Sequence, residues 1–455
     1  MLFCGIDIGT SNTKAVVIDA EGELRGRITI PLGVESRKDE FPAAVWVDHF
    51  QKALNFLASQ SRSDDQSLCV GITAQGGSMV LLDEEYQPIS TAMSWTKLAS
   101  DTILRELRGA VSFGDFYEKT GWLPDGWMGV CKVMELLRNN PKLKQKLKYI
   151  ASVPDFVGAQ VFGTFVTDVT QAQITGFYDF TQMDWISEIL NRMGLTGENF
   201  AEVKSATEIL RENFSLYSSR ITLMSSSHDQ YAVMRACGLN DDGFMLATGS
   251  AWVVNGKSKR PLYDGDCMIH PGRDLEGGFG YIISFEAIGK HFDELLIHLD
   301  VDYDLLAAMA EDIQKIEIPD QPIDTTTINS CSAKPEAIRR FMEATVARVR
   351  FVLEKKQLLA GIKKLLMTGG SVGNNLWPQF LADILNIPVD AVRFNELTAY
   401  GAALFSRTGM TGVTPPHRWP MGIAVTLYEP RTARKYDDWF YGKQVPLLEW
   451  GVNRD

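Results

Sequence analysis

The stretch MLFCGIDIGTSNTKAVVID (Met1–Asp19) decides how the rest of the chain is read. Leu2–Ile8 and Thr13–Asp19 read as strands, and the short polar link between them reads as a turn. Two readings of that turn compete: an ordinary surface hairpin, or a phosphate cradle. Gly9 lets a ligand approach the backbone closely. Thr10, Ser11, Asn12 and Thr13 add hydroxyl and amide groups to the backbone donors. Lys14 brings a positive charge near them, and strand alternation decides where it points. Asp7, at the strand end, is of the type that holds Mg²⁺ directly or through water. The spacing matches neither GxxxxGK[ST] nor GxGxxG, so P-loop and dinucleotide-binding readings lose support.

At 455 residues the chain suits two large domains. Hydrophobic content of 45% and charged content of 22% are globular values. A net charge of −12 argues against a nucleic-acid or membrane-surface binder. A local phosphate site does not need a basic protein, because backbone N–H groups hold anions. Six cysteines (Cys4, Cys69, Cys131, Cys237, Cys267, Cys331) form no CxxC pair. They read as reduced, mostly buried thiols of a cytoplasmic protein rather than a zinc site or disulfide framework. No secretory leader is expected, since the N-terminus lacks a basic region and Asp7 interrupts its apolar run. No apolar stretch approaches membrane-spanning length.

Further along, LCVGITAQGGSMVLLDEEYQPI (Leu68–Ile89) repeats the opening plan: strand, turn at Gly76 and Gly77, strand, acidic turn. CKVMELLRNNP predicts an amphipathic helix that stops before Pro141. GTFVTDVTQAQITGFYDF alternates like a strand pair around Asp168, with Asp155 and Asp168 as caps or turn residues. MSSSHDQYAVMRACGL combines a small-residue turn with a helix. GFMLATGSAWVVNG (Gly243–Gly256) places Thr248, Gly249 and Ser250 between apolar runs, a loose echo of the opening stretch. A long helix is expected from Pro335 to Leu359, with Ile338, Phe341, Val346, Val349 and Leu353 on one side. KKLLMTGGSVGNNLWPQFLADIL reads as strand, glycine turn and helix, and NELTAYGAALF as a final helix with small residues suited to close packing. The aromatic residues of DDWFYGKQVPLLEW anchor the C-terminal tail. Strands and helices in mixed order, with glycine turns after strands, point to an α/β protein.

These segments, in this order, resemble the FGGY carbohydrate kinases of the sugar kinase/actin/Hsp70 superfamily. Asp7–Lys14 resembles the first phosphate motif, and Gly71–Trp95 the segment of Gln, glycine, Leu-Asp and Trp that lines the sugar. Val153–Phe180 resembles the segment with a Thr-Asp before it turns. Ser225–Leu239 resembles the GGHDQ segment that carries the catalytic base. Leu246–Val254 resembles the second phosphate motif, Leu365–Val389 the adenosine motif and Glu396–Phe405 the closing helix. The likeness spans nearly the whole chain. It implies two actin-like (ribonuclease H-like) α/β domains with mixed sheets flanked by helices around a central cleft, residues 1–237 and 238–455.

The resemblance also implies roles. Asp229 would be the general base. Asp7, Gly9, Thr10, Ser11, Asn12 and Lys14, with Thr248, Gly249 and Ser250, would hold the phosphates of ATP. Gly369, Gly370, Ser371 and Asn374 would wall the adenosine, although Asn374 is equally a helix cap. Asp7 and Asp229 would hold Mg²⁺. Gln75, Gly76, Trp95, Lys97, His228, Asp229 and Gln230 would meet the sugar. A direct His228–Asp229 dyad is the less favoured arrangement, since adjacent residues point apart on a strand or helix. The sugar segment departs from the family: Trp95-Thr96-Lys97-Leu98-Ala99 lacks the acid and arginine of Trp-x-Asp-x-Arg, and Gly76-Gly77 stands where some members have Met-His. At Thr248-Gly249-Ser250 the usual Gly-Thr order is shifted.

The function implied is transfer of the γ-phosphate of ATP to a hydroxyl of a small sugar, first a ketose such as xylulose. The rival is a non-catalytic nucleotide-dependent sugar sensor, or an actin- or chaperone-like ATPase. Partners are the small sugar and ATP, with neither nucleic acid nor membrane; a homodimer is one assembly the resemblance allows.

Overall fold

Leu2–Ile8 forms a fully buried strand, paired antiparallel with Asn12–Ile18 and parallel with Ser67–Ala74. Period-two alternation assigns its side chains to two faces. Leu2, Cys4, Ile6 and Ile8 join a core with Trp46, Phe50, Leu54 and Leu57 of the helix Ala44–Ser59. Their spacing of three to four residues is that of one helix face. Gly5 lies on the opposite face, where a Cβ would sit 1.9 Å from the carbonyl of Ala399. The computed structural model describes residues 1–33, 38–61, 67–216, 219–239, 243–249, 251–285, 287–323, 328, 333–414, 416–431 and 433–452.

The first of two compact units comprises Met1–Asp242, Gly256–Ile282 and Glu396–Met421. Its main sheet has the order Ile209–Leu216, Ser219–His228, Ser67–Ala74, Leu2–Ile8, Asn12–Ile18 and Leu24–Pro31. The expected single boundary at 237/238 is therefore corrected: two later segments return to this unit. The helix Leu397–Thr411 is the reason for one of them. Its small residues let it press onto the sheet, for besides Gly5, a Cβ on Gly71 would sit 2.5 Å from the Ala402 carbonyl. Gly401 likewise abuts the carbonyl of Ala232 on the helix Asp229–Cys237.

Three local expectations are revised. Met79–Leu82 does not form a hairpin with Ser67–Ala74; it pairs with Tyr149–Ser152 in a separate four-stranded sheet. Ser225–Ser227 is no turn but the end of the strand Ser219–His228, whose small side chains are buried. After the strand Val166–Asp168 the chain turns helical at Val169–Ile174, because Asp168 accepts hydrogen bonds from the Thr170 and Gln171 amides as an N-cap. Asp155 closes the capping box of the helix Val153–Phe162 with Ser152. Both aspartates are caps, as the sequence indicates.

The second unit comprises Gly243–Asn255, Ile283–Asn395 and Gly422–Asp455. Phe244–Thr248, Leu365–Gly369 and Val389–Arg393 run parallel, and Ala424–Tyr428 closes the edge antiparallel. Lys334–Lys355 is the long helix, with Pro335 in its first turn and Ile338, Val346, Val349 and Leu353 buried. Trp252 meets Trp377 of the helix Leu376–Leu385 edge to face at 4.7 Å. Trp439 and Phe440 bury the C-terminal segment. Cys4, Cys69, Cys131, Cys237 and Cys267 are free thiols, and Cys331 lies outside the described residues. Among the described residues no helix is long and apolar enough to cross a membrane.

Close helix packing at Gly401 is testable. Gly401→Val is expected to lower the unfolding free energy in urea by about 1–3 kcal/mol, the usual cost of overpacking. Gly114→Ala, in the helix Phe113–Thr120 where a Cβ meets open space, is expected to leave stability unchanged or raise it by up to about 1 kcal/mol.

Candidate active site

Ile8, Ala74 and His228 are direct register partners at the carboxyl ends of adjacent parallel strands. The residues that follow each of them therefore emerge at one edge of the sheet, where open α/β folds bind ligands. From the first strand come Gly9 and Thr10, from the second Gln75, Gly76 and Gly77, from the third Asp229. The Gln75 amide donates to the Ile8 carbonyl at 3.1 Å, and the Gly9 amide to Asn12 at 3.1 Å. Thr10 Oγ1 donates to Gln75 Oε1 and accepts from Trp95 Nε1 at 2.7 Å. Its hydroxyl thus ties the phosphate turn to the sugar segment. Ser11 is exposed, and Asn12 and Lys14 are half-buried.

Asp7 and Asp229 carry the charge of this edge. Burial pushes the Asp7 carboxyl up to about 7; Lys14, its register partner on the next strand, opposes the shift and Asp229 reinforces it. Burial likewise raises Asp229 to about 6, against the amide and side chain of Gln230 and the charge of Lys14. Asp7 Oδ1 is buried without a hydrogen-bond partner. Two neighbouring carboxylates that resist ionising, one with an orphaned oxygen, fit a hard divalent cation. Among the described residues no three metal-ligating side chains converge. Mg²⁺ takes one or two carboxylates and completes its shell with water and phosphate oxygens.

The sequence places His228 and Asp229 pointing apart; the structure corrects this. His228 Nε2 lies 3.1 Å from Asp229 Oδ1. The reason is the junction: His228 ends a strand and precedes the helix Asp229–Cys237, so neither regular alternation applies. Burial holds the imidazole far below its ordinary value, at about 3, hence neutral. Gly76 makes the arrangement possible, because a Cβ there would sit 2.7 Å from His228 Nε2.

The sugar segment is organised by a residue that the sequence reading passed over. Lys132 is fully buried and donates to the carbonyls of Gly77 at 2.7 Å and Ser94 at 2.8 Å. It thereby fastens the glycine turn to the Trp95 segment. Burial drives its ammonium down to about 7, with Lys97 adding to the effect. The signal was a lone cation inside the apolar run Val130–Val133. Trp127 was missed too. Its ring lies against Gly77, where φ is +75° and a Cβ would sit 3.1 Å from the indole. Trp122 stands edge to face on Trp127 and stacks on His270 at 3.9 Å. Lys97, expected at the sugar, is paired with Glu40, whose carboxyl it holds below its usual range.

In the second unit, Thr248 Oγ1 donates to the Thr368 carbonyl at 2.6 Å and is buried. It braces the sheet. Gly249 is exposed, with its amide bonded to Ala251 at 3.2 Å. Ser250 lies outside the described residues. Gly369 has φ +100°, and a Cβ would lie 2.5 Å from the Thr248 carbonyl, so only glycine fits. Gly370 and Ser371 open the short 3₁₀ turn Gly370–Gly373. Asn374 accepts from the amides of Leu376 at 3.0 Å and Trp377 at 3.2 Å, as a helix-capping side chain does.

Comparison with known proteins agrees. The N-terminal domain of the FGGY family of carbohydrate kinases matches residues 2–226, and the family's C-terminal domain matches residues 309–408. A glycerol kinase of Thermococcus gammatolerans is 25% identical over 435 residues, 88% of this chain and 87% of that protein. The structure of a xylulose kinase from Rhodospirillum rubrum superposes with a TM-score of 0.83 at 17% identity, covering 97% of each chain. Plasmodium falciparum glycerol kinase with ADP gives 0.79 at 16%, again 97% of each. The chain belongs to the FGGY family of carbohydrate kinases, with the two-domain actin-like fold. It is an ATP-dependent phosphotransferase with an alcohol acceptor.

Two predictions follow from the charges. A carboxyl raised from 3.8 to about 7 binds its proton more tightly when folded. Its contribution to stability is full below pH 3.8 and is lost as pH rises toward about 7. Asp7→Asn is therefore expected to melt with the wild type near pH 4 and several degrees above it at pH 8, in ligand-free protein; equal melting at both would refute the burial argument. Lys132→Met is expected to raise the acceptor KM by at least ~10-fold, with the ATP KM within ~2-fold. An unchanged acceptor KM would show that the two segments hold without it.

Proposed function

We propose that this kinase transfers the γ-phosphate of ATP, with Mg²⁺, to a hydroxyl of a small neutral sugar or polyol, first a ketose such as xylulose. The observation that carries the proposal is the shared strand-end position of Asp7, the Gln75–Gly77 turn and Asp229. Asp229 orients the acceptor hydroxyl and takes its proton. Phosphoryl transfer passes through a loose transition state, so the proton leaves late and a carboxylate suffices. A value near 6 makes Asp229 a better base than an ordinary aspartate. Asp7 and Asp229 would hold the cation, which supplies neutralisation of charge on the phosphates. Lys14 adds a positive charge that both carboxylates feel. Gly369 and Gly370 leave room for a flat base to lie on the backbone.

The neutral acceptor is supported by what the lysines already do. Lys97 is paired with Glu40 and Lys132 is held by two carbonyls, so both cations of the sugar segment are engaged before a sugar acid arrives. Trp95 and Trp127 flank the glycine turn with faces suited to C–H groups of a sugar. Curated relatives named glycerol kinase keep glycerol on the panel.

The test is ADP release measured over D-xylulose, L-ribulose, L-fuculose, glycerol and D-gluconate. Release stimulated by a ketose or polyol, little with gluconate, and lowered ~10³-fold or more by Asp229→Ala with nucleotide affinity kept, is the expected result. Acceptor-independent release would favour an ATPase, nucleotide binding with no release a non-catalytic sensor, and turnover retained in Asp229→Ala would remove the base.

A further inference from the structure

We infer that His228 is a positioning residue for Asp229, holding its carboxylate in the orientation that the acceptor hydroxyl meets. The inference rests on the kinase reading above and adds a role for a residue that the resemblance would place on the sugar.

The ring's two nitrogens decide between those roles. Nε2 is engaged with Asp229 Oδ1 at 3.1 Å. Nδ1 is buried and has no hydrogen-bond partner. A buried N–H without a partner is rarer and costlier than a bare acceptor, so the single proton is placed on Nε2, the nitrogen that lies 3.1 Å from the carboxylate.

The ring is also fixed from several sides. The His228 amide donates to Thr170 Oγ1 at 2.9 Å, and Thr170 Oγ1 donates to the carboxylate of Asp168. Asp168 caps the helix Val169–Ile174, so the hydroxyl that receives His228 is itself anchored. On another side stands Gly76. A Cβ there would lie 2.7 Å from Nε2, 2.9 Å from Cδ2 and 2.6 Å from Ile174 Cγ1. The glycine and Ile174 together leave a slot that the imidazole edge fills. Asp229 opens its helix, where its side chain has several staggered choices. With Nε2 close against one oxygen, and Gln230 bonded to the carboxylate, those choices are reduced. A base held in one orientation avoids the alignment cost at each turnover.

The experiment compares His228→Gln, His228→Asn and His228→Ala, using D-xylulose or glycerol, whichever the wild type turns over faster. The glutamine amide nitrogen reaches the place of Nε2; the asparagine amide reaches only that of Nδ1. The expected result is kcat lowered ~30- to 100-fold in Asn and Ala, with both KM values within ~2-fold, and Gln within ~5-fold of wild type. In an Asp229→Asn background, His228→Ala is expected to add no further loss, since the group it positions is gone. Asn and Gln behaving alike, or a raised acceptor KM with kcat kept, would overturn the inference in favour of packing or sugar contact. So would a loss that multiplies in the Asp229→Asn background. Thermal melts accompany each variant, and if Ala does not fold, the Gln and Asn pair decides. A wild type without acceptor-dependent ADP release would remove the kinase reading itself, whereas an active wild type with an unaffected Asn variant would remove only the role of His228.

Discussion

The parallel register Ile8–Ala74–His228 is the constraint from which the rest of the first unit follows. Adjacent strands lie about 4.8 Å apart, so three chain segments leaving the sheet at the same level are bound to be neighbours. The register is held by alternation. Leu2, Cys4, Ile6 and Ile8 face the aromatic core under Ala44–Ser59, while Gly5 meets the backbone of Leu397–Thr411. A slip by one residue would turn Asp7 toward Trp46 and Phe50 and remove it from the strand-end site. Glycine at 5, 71 and 401 admits the helix that covers the second face, and that is why a segment late in the chain completes the first unit.

The same burial that locates the carboxylates makes them uncomfortable. Asp7 and Asp229 both resist ionising, and the charge of Asp229 adds to the shift at Asp7. Lys14 relieves part of this, and a divalent cation with its phosphates would relieve more. The site thus holds strain of an electrostatic kind, of the sort that functional sites keep at the expense of stability. Around it the supporting groups are neutral or already engaged: His228 by burial, Thr10 by Gln75 and Trp95, Lys132 by two carbonyls.

Much of the site was legible because chemistry interrupts pattern. Asp7, Gly9 and Gly76 stand where apolar strands stop, and a polar residue or glycine at such a point is visible without knowing the fold; Asp229, after Ser225–His228, is marked only by the family resemblance. What the linear chain conceals is long-range or junctional. The return of Leu397–Thr411 to the first unit depends on backbone contacts with Ala232 and Gly5 across the sequence. The contact of His228 with Asp229 depends on a strand changing into a helix between them. Lys97 is diverted by Glu40, and Thr248 by Thr368, partners far off in sequence. Asn374 showed two possible roles in the sequence, and the capping one is seen in its bond to the Leu376 amide.

Paramagnetic relaxation tests most directly whether Asp7 and Asp229 assemble metal, nucleotide and acceptor at one strand edge. Mn²⁺ would replace Mg²⁺, with a non-hydrolysable ATP analogue and ¹³C-labelled xylulose or glycerol. The account predicts that Mn²⁺ broadens the acceptor carbons when the analogue is present, and that the effect is lost in Asp7→Asn. Acceptor signals that Mn²⁺ leaves untouched in the wild type, while the acceptor is bound, would contradict it.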